Sequence, residues 1–373
     1  MEFGVGVGGM ILVVYALFLV WLTFQNEKVG KQQQNWPPLQ SEPTISVCIA
    51  FRNEEKNLNR LLQNLTMQDY PEEKLELILV NDHSEDRGIE MVEKWISKSE
   101  ISIRLFHLPL EKTGKKEAIS LAASEARGDW LLFTDADCLP PISWAKTMVK
   151  EAFSSKSVMV CGPLLVQSST IIQQFEALEF SSLVAVGASG INLKSPNFCN
   201  AANLLIRNAE FSGAQLVRQD MGLASGDDVF LLHLLHEAGK PISFCQSEKA
   251  FVEFEAHSTW SSFEQQRIRW AGKWKTGIKG ANGGLAILVL AFHLGFLLWF
   301  SAGLLYNPNA LLPGILVKVA SELFFLLPFS GLNKKPDLIG KILLMQIPYS
   351  LFVVYFGIRI LISSQYSWKG RQF

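Results

Sequence analysis

Asp135 and Asp137, two carboxylates at i and i+2, stand just past the apolar run Trp130-Leu131-Leu132-Phe133. Beyond a strand, such a pair can point the same way and hold one hard cation through oxygen ligands. Mg2+ keeps several waters and takes one or two carboxylates plus substrate phosphates. A pair of solvated turn acids is the plain alternative, since Asp-x-Asp by itself is a weak motif. Asp82 also closes an apolar run and is followed by Ser84 and Asp86. A carboxylate there can accept from a base imide or a ribose hydroxyl, or it can make an Asx-turn or cap a helix. Gly114-Lys115-Lys116 opens a helical pattern. Backbone amides and an ammonium at a helix N-terminus suit a diphosphate, although a lysine pair is equally at home on a solvated surface.

These groups need elements to carry them. Residues 44–51 form a short, β-branched, buried strand, and Leu58, Leu61, Leu62 and Leu65 follow at helical spacing. Further strands are expected at 75–80, 101–106 and 130–134, with helices through Trp95 and from Lys115 to Ala126. Strands alternating with helices imply a mostly parallel sheet covered on both faces. In such sheets ligands bind outside the carboxyl ends of the strands, which is where the polar clusters fall. No Walker A or Gly-x-Gly-x-x-Gly pattern follows any strand, so ATPase and Rossmann dehydrogenase readings have no support.

The rest of the chain is membrane-like. Of 373 residues 49% are hydrophobic, 11% aromatic and only 18% charged, against about 25% charged in soluble globular chains. With 34 basic and 35 acidic residues there is no global attraction to nucleic acid. Four apolar runs, 5–24, 285–306, 310–329 and 338–362, reach the ~20 residues that a spanning helix needs. The first has no basic residues before it, no small-residue cleavage site after it, and Lys28 and Lys31 beyond it. It therefore reads as an anchor with the following segment in the cytoplasm. Lys318 and Glu322 sit one turn apart inside a span, either as a mutually neutralising pair facing the bundle or as a contact to a polar head-group. Arg267 to Lys279 carries five basic residues with Trp270, Trp274 and Ile278 on one helical face, as an interfacial helix would. The expected organisation is an anchor at 1–25, a cytoplasmic α/β domain at 44–256, amphipathic interface helices at 257–282, transmembrane helices at 283–363 and a tail at 364–373. The five cysteines form no Cys-x-x-Cys pair and are expected as reduced thiols.

In order along the chain, "SVCIAFRNEEKNL", "LVNDHSED", "GKKEAI", "TDADC", "CNAANLLIR", "SGDDVFLL" and "QQRIRW" resemble the motifs of membrane-associated family 2 glycosyltransferases. The tail "YSWKGRQF" is similar to that of several membrane members. The resemblance implies the GT-A nucleotide-diphospho-sugar transferase fold, a mixed, mostly parallel sheet, joined to transmembrane helices. It implies nucleotide or donor binding by Glu54, Asp82, Lys115, Asp135 and Asn203, and a divalent metal, Mg2+ or Mn2+, on Asp137 with Asp135. Gln266, Arg269 and Trp270 would bind acceptor and diphosphate. Two positions depart from the pattern: Asn81 stands where the family often has a second acid, and Ala201 where many members have glycine.

The implied activity is inverting transfer from a UDP-sugar to a lipid or lipid-linked glycan in the cell envelope, by a multi-pass protein embedded in membrane lipids. The acceptor hydroxyl must lose a proton as it attacks, and Asp228, at the front of an apolar helix, is the choice for that base. Asp227 is its rival, or the cap of that helix. A processive polysaccharide synthase of the same family is the near alternative. A non-catalytic membrane protein that binds nucleotide sugars is the alternative from another class.

Overall fold

In a computed structural model the described residues are 2–219, 227–257, 259–277, 281–330, 337–362, 367–368 and 371–372. Helix α1 (Glu2–Gln33) leads into β1 (Ile45–Phe51), α2 (Glu55–Thr66), β2 (Leu75–Asn81), α3 (Gly88–Ile96) and β3 (Ser102–His107). Then come α4 (Lys115–Ser124), β4 (Trp130–Phe133), β5 (Cys138–Leu139), α5 (Trp144–Ser155), β6 (Met159–Cys161) and β7 (Leu164–Gln167). The long α6 (Ile171–Asn192) precedes β8 (Leu204–Arg207), α7 (Asn208–Gln219), α8 (Asp227–Glu237), β9 (Ile242–Phe244) and β10 (Val252–Glu255). Helices α9 (Trp260–Gly277), α10 (Ala281–Tyr306), α11 (Leu311–Leu326) and α12 (Asp337–Ile362) follow, and β11 (Ser367–Trp368) pairs with β12 (Arg371–Gln372).

The chain divides into two compact units. A sheet unit comprises Lys28–Val166 and Val186–Glu255; a helical unit comprises Met1–Glu27, Gln167–Ala185 and Ala256–Phe373. The sheet unit holds seven strands in the order β3-β2-β1-β4-β8-β6-β9. Strands β1, β2, β3 and β4 pair in parallel, as do β6 and β9, while β8 runs antiparallel to both neighbours. This is the mixed, mostly parallel sheet expected. β1 and β2 are nearly continuous apolar runs because both faces of the sheet are covered: Val47 and Leu77 on one face and Cys48 and Ile78 on the other are all fully buried. A second sheet, β5-β10-β7, lies in the same unit.

The amino ends of the central strands are held by a closed polar cluster. Ser46 Oγ donates to Glu76 Oε1 at 2.5 Å, and Glu76 also accepts from Arg127 N at 2.7 Å. Arg104 lies 3.5 Å from Glu76 and 3.1 Å from Glu125. Gly128 N donates to Ser46 Oγ at 2.8 Å, and a Cβ at Gly128 would come within 2.6 Å of Ser46 N. Only glycine permits that approach.

Among the described residues four stretches are long and apolar enough to cross a membrane: Gly8–Gln33 of α1, Ile287–Tyr306 of α10, Pro308–Leu326 running into α11, and Lys341–Arg359 of α12. Lys318 is wholly buried, its Nζ 2.5 Å from both Glu322 Oε1 and Gln346 Oε1, and Gln346 Nε2 donates to Glu322 Oε2 at 2.9 Å. Tyr15 OH on α1 donates to the same Glu322 at 3.2 Å. The ion pair is thus the neutralising pair within the bundle. The amino-terminal part of α6 belongs to the helical unit, and its buried Glu179 takes a fork from Arg267 on α9, whose Nε lies 3.0 Å from both carboxylate oxygens. Glu176, one turn earlier, accepts from His257 N at 2.9 Å. α6 has no counterpart in the sequence reading. Its apolar residues surround the helix without a clear stripe, and the two glutamates interrupt what would otherwise be a membrane-length run.

Gly128→Ala should destabilise the sheet unit by about 1–3 kcal/mol, the usual cost of forcing atoms into a packed site. The midpoint of thermal unfolding of the detergent-solubilised protein reads this directly, and an unchanged midpoint would contradict the packing described.

Candidate active site

Parallel pairing brings three strand ends to one edge of the sheet. Phe51 pairs with Asn81, so Asn53–Glu54 and Asp82–His83 emerge side by side. Their loops are laced together: Asn53 Oδ1 accepts from Glu85 N at 2.8 Å, Ser84 Oγ accepts from Asn53 N at 3.0 Å, and Asp86 Oδ2 accepts from Glu55 N at 2.8 Å. Asn53 and His83 both adopt left-handed backbone, at φ 55° and 56°, a region in which Asn and His are enriched among non-glycine residues.

Asp82 is buried, 4% exposed, and both its oxygens are engaged. Oδ2 accepts from Gly114 N at 3.0 Å and Oδ1 lies 3.1 Å from His83 Nδ1. Gly114, at φ 103°, is the residue before α4 and lets the chain turn onto Asp82. Asp82 therefore fixes the start of the helix whose first residue is Lys115.

Lys115 Nζ contacts Asp135 Oδ1. Burial works against the lysine charge, but Asp135, and Asp137 beyond it, outweigh that and hold its pKa above the ordinary value. One ammonium does not balance the site. The Asp137 carboxyl is pushed up to about 6, by the protein around it and then by Asp135 and Glu54, with Lys115 pulling the other way. Asp137 keeps an exposed surface. Burial is the largest cause of the rise; Asp135 and Glu54 add to it, and a divalent cation would relieve the negative potential they set up. Among the described residues no three His, Cys, Asp or Glu side chains group as a metal cluster. A cation here would thus be held by Asp135 and Asp137 and complete its shell with water and ligand phosphates, which fits Mg2+ or Mn2+.

A pocket opens beside this group, lined by Lys115 and Ile119 of α4, Phe133, Thr134 and Asp135 at the end of β4, Ala201 and Leu204, Phe211 and Ala214 of α7, and Asp228, Phe230 and Leu231 of α8. Lys115, Asp135 and Asp228 therefore share one cavity. Asp228 sits in the first turn of α8, where its Oδ1 accepts from Val229 N at 2.9 Å. Thr134 is 1% exposed, and among the described residues its Oγ1 has no hydrogen-bond partner.

Asn203 requires a correction. It is fully buried in the core rather than in the pocket. Its Oδ1 accepts from Trp144 Nε1 at 2.8 Å, and its Nδ2 donates to Pro163 O at 2.7 Å and Ala250 O at 2.8 Å. Every polar atom of the amide is used, so none is left for a donor. The neighbouring Ala201, not Asn203, lines the cavity. Glu54 stands before α2, with Asn57 Nδ2 donating to its Oε2 at 2.8 Å, and acts on Asp137 through charge. Gln266 lies on α9 in the helical unit, where its Oε1 accepts from Arg267 Nη1. The side chains of Asp227, Arg269 and Trp270 lie outside the described residues.

The comparisons with known proteins agree with this geometry. Residues 46–204 match the family model Glycosyl transferase family 2. This stretch is thus similar to a glycosyl transferase family 2 domain. Probable glycosyltransferase YdaM of Bacillus subtilis is 30% identical over 137 residues, which are 35% of this chain and 32% of that protein. Glycosyltransferase AglE of Haloferax volcanii is 24% identical over 210 residues, 54% of this chain and 64% of that protein. The first of these matches thus spans about a third of its relative's length. Among solved structures, mannosyltransferase PcManGT from Pyrobaculum calidifontis, in complex with GDP-Man and Mn2+, superimposes with a TM-score of 0.56 at 17% identity, covering 94% of this chain and 99% of that one. The fold around the family 2 domain is accordingly GT-A-like.

A cation held by Asp137 would need its carboxylate ionised, so Mn2+ affinity measured in the presence of UDP should fall as pH drops through about 6, by about tenfold per unit well below it. Asp137→Asn should weaken Mn2+ and flatten that pH dependence. Paramagnetic resonance of free Mn2+ reads both.

Proposed function

We propose that this protein is a membrane-bound inverting glycosyltransferase, moving a sugar from a UDP-sugar to a lipid or lipid-linked glycan at the cytoplasmic membrane face. The observation that carries the reading is that Asp135 and Asp228 line one pocket, so the groups that meet the diphosphate and the attacking hydroxyl face a common space. The domain organisation set out from the sequence is part of the proposal, with the apolar helices holding the site at the membrane surface.

In this reading Asp82 and the loops beside it receive the nucleoside. Lys115 and the amides opening α4 face the diphosphate. A divalent cation held by Asp135 and Asp137 would neutralise the diphosphate as it departs. Asp228 accepts the proton of the acceptor hydroxyl as the new glycosidic bond forms at the anomeric carbon and the bond to the diphosphate breaks. Attack from the face opposite the leaving group inverts the anomeric centre. Asp227 is the alternative base. Gln266, Arg269 and Trp270 are assigned to acceptor and diphosphate by their match to Gln-x-x-Arg-Trp. The relatives support a nucleotide-sugar donor, since PcManGT was solved with GDP-Man and Mn2+.

Purified protein in detergent should release UDP from a UDP-sugar only with Mg2+ or Mn2+, and Asp137→Ala should reduce release to background. Asp228→Asn should lower transfer to acceptor by about 10²–10⁴-fold, the range for loss of a positioned base, while still binding UDP. Equal transfer by wild type and Asp228→Asn would overturn the base assignment, and long polymers on one primer would favour the processive synthase.

A further inference from the structure

Helix α12 has the length and hydropathy of a membrane span, yet its contacts run across the helical unit. Helices α10 and α11 make a hairpin with Pro308 at its tip, Gly303 packed against Leu311, and Lys318 Nζ 4.8 Å from the Phe296 ring centroid. That hairpin serves as a ruler. At 1.5 Å per residue, Leu290 and His293 of α10 lie ~27 and ~22 Å from the tip, and Lys318 and Glu322 of α11 ~15 and ~21 Å from it.

Contacts locate α12 on this scale. Near its start, Ile342 shares a cluster with Leu323 and Leu327, ~22–28 Å from the tip. Gln346 is bonded to Lys318 at 2.5 Å and to Glu322 at 2.9 Å, and Ile347 packs on the cluster that holds Phe296 and Trp299. Ser350 Oγ then lies 3.0 Å from His293 Nδ1, and a Cβ at Gly357 would come within 2.7 Å of Leu290. The helix therefore advances towards the tip as far as Ile347 and recedes from it beyond. Pro348 stands at the turning point, where a missing N–H and a ring pressed on the preceding turn bend a helix. A crossing helix would keep advancing for its whole length.

Helix α9, which leads into the base of the hairpin, agrees. The Phe352 ring packs 5.6 Å from that of Phe263, and Tyr355 OH donates to Glu264 Oε1 at 2.7 Å. In a straight crossing Tyr355 would sit ~21 Å beyond Lys341, some two thirds of the way through the hydrocarbon. It would hold the Glu264 carboxylate there at considerable cost. Leu344, Pro348, Leu351, Tyr355 and Ile358 are exposed at alternating spacings of four and three, a single uncharged stripe.

We infer that α12 is re-entrant: it enters the leaflet beside α9, bends at Pro348 and leaves on the side it entered, with its stripe turned to the acyl chains. The inference rests on the membrane-bound reading and departs from the organisation proposed above in this helix alone, leaving α1, α10 and α11 to cross. Residues 364–373 then share a side with Asp337, and Lys369 and Arg371 fall where basic residues are favoured.

Labelling with a membrane-impermeant maleimide tests it, because the five native thiols are buried. Full-length protein carries one added cysteine: Lys98→Cys on the exposed surface of the sheet unit, Asn309→Cys at the exposed hairpin tip, or a thiol on a Gly-Ser extension after Phe373. In sealed inverted vesicles of an expressing bacterium the tail thiol should label without detergent, as Lys98→Cys does, and Asn309→Cys should need detergent. Nitroxides at Leu344→Cys and Ile358→Cys should report one leaflet, whereas a crossing helix would separate them by ~21 Å. Tail labelling that follows Asn309→Cys, or nitroxides in opposite leaflets, overturns the inference and leaves the membrane-bound reading intact. Labelling of Asn309→Cys together with Lys98→Cys before detergent overturns that reading as well.

Discussion

Because β1 is paired in parallel with β2 on one side and β4 on the other, the residues that leave these strands are obliged to emerge on one edge of the sheet. The register adds a stagger. Phe133, the last residue of β4, pairs with Cys48, three positions before β1 ends at Phe51. At ~3.3 Å per residue the segment after β4 therefore starts ~10 Å short of the end of β1. Asp135 and Asp137 can thus run up beside the exit of β1, where Glu54 raises the Asp137 carboxyl. The opposite edge carries the closed Ser46–Glu76–Arg104 cluster, where Arg104 pairs with both Glu76 and Glu125. One edge is electrostatically settled and the other is not, and chemistry belongs at the unsettled one.

That imbalance explains why the site is built from small, rigid pieces. Asp82 spends its oxygens on Gly114 N and His83, so the start of α4 is fixed before any ligand arrives. Lys115 is held by Asp135 in the same region. These contacts keep the cationic end of α4 next to a surplus of carboxylate, without cancelling it.

The sequence was most legible where one physical signal dominated. The central strands are short apolar runs ended by polar clusters, and strand and helix bounds from β1 to β4 were read within about two residues. The four helical stretches long and apolar enough to cross a membrane were legible for the same reason. Where a residue type serves two purposes, pattern alone misled: Asn203 looks like a ligand-binding amide inside its motif, yet its hydrogen bonds to Trp144, Pro163 and Ala250 make it a core fastener. α6 escaped because buried acids paired with Arg267 and His257 break a hydropathy run without breaking a helix.

The last residues of α1 belong to the sheet unit and not to the apolar helices. Gln33 Nε2 donates to Phe244 O at 2.7 Å and its Oε1 accepts from Gln246 N at 2.7 Å, so its carboxamide serves as a missing neighbour for β9, the outermost strand. Trp36 Nε1 adds a bond to Glu151 at 3.1 Å. A fragment that omits the apolar part of α1 should therefore begin no later than Lys28. A start at the first strand would strip the cover from an open sheet edge and invite strand-to-strand aggregation.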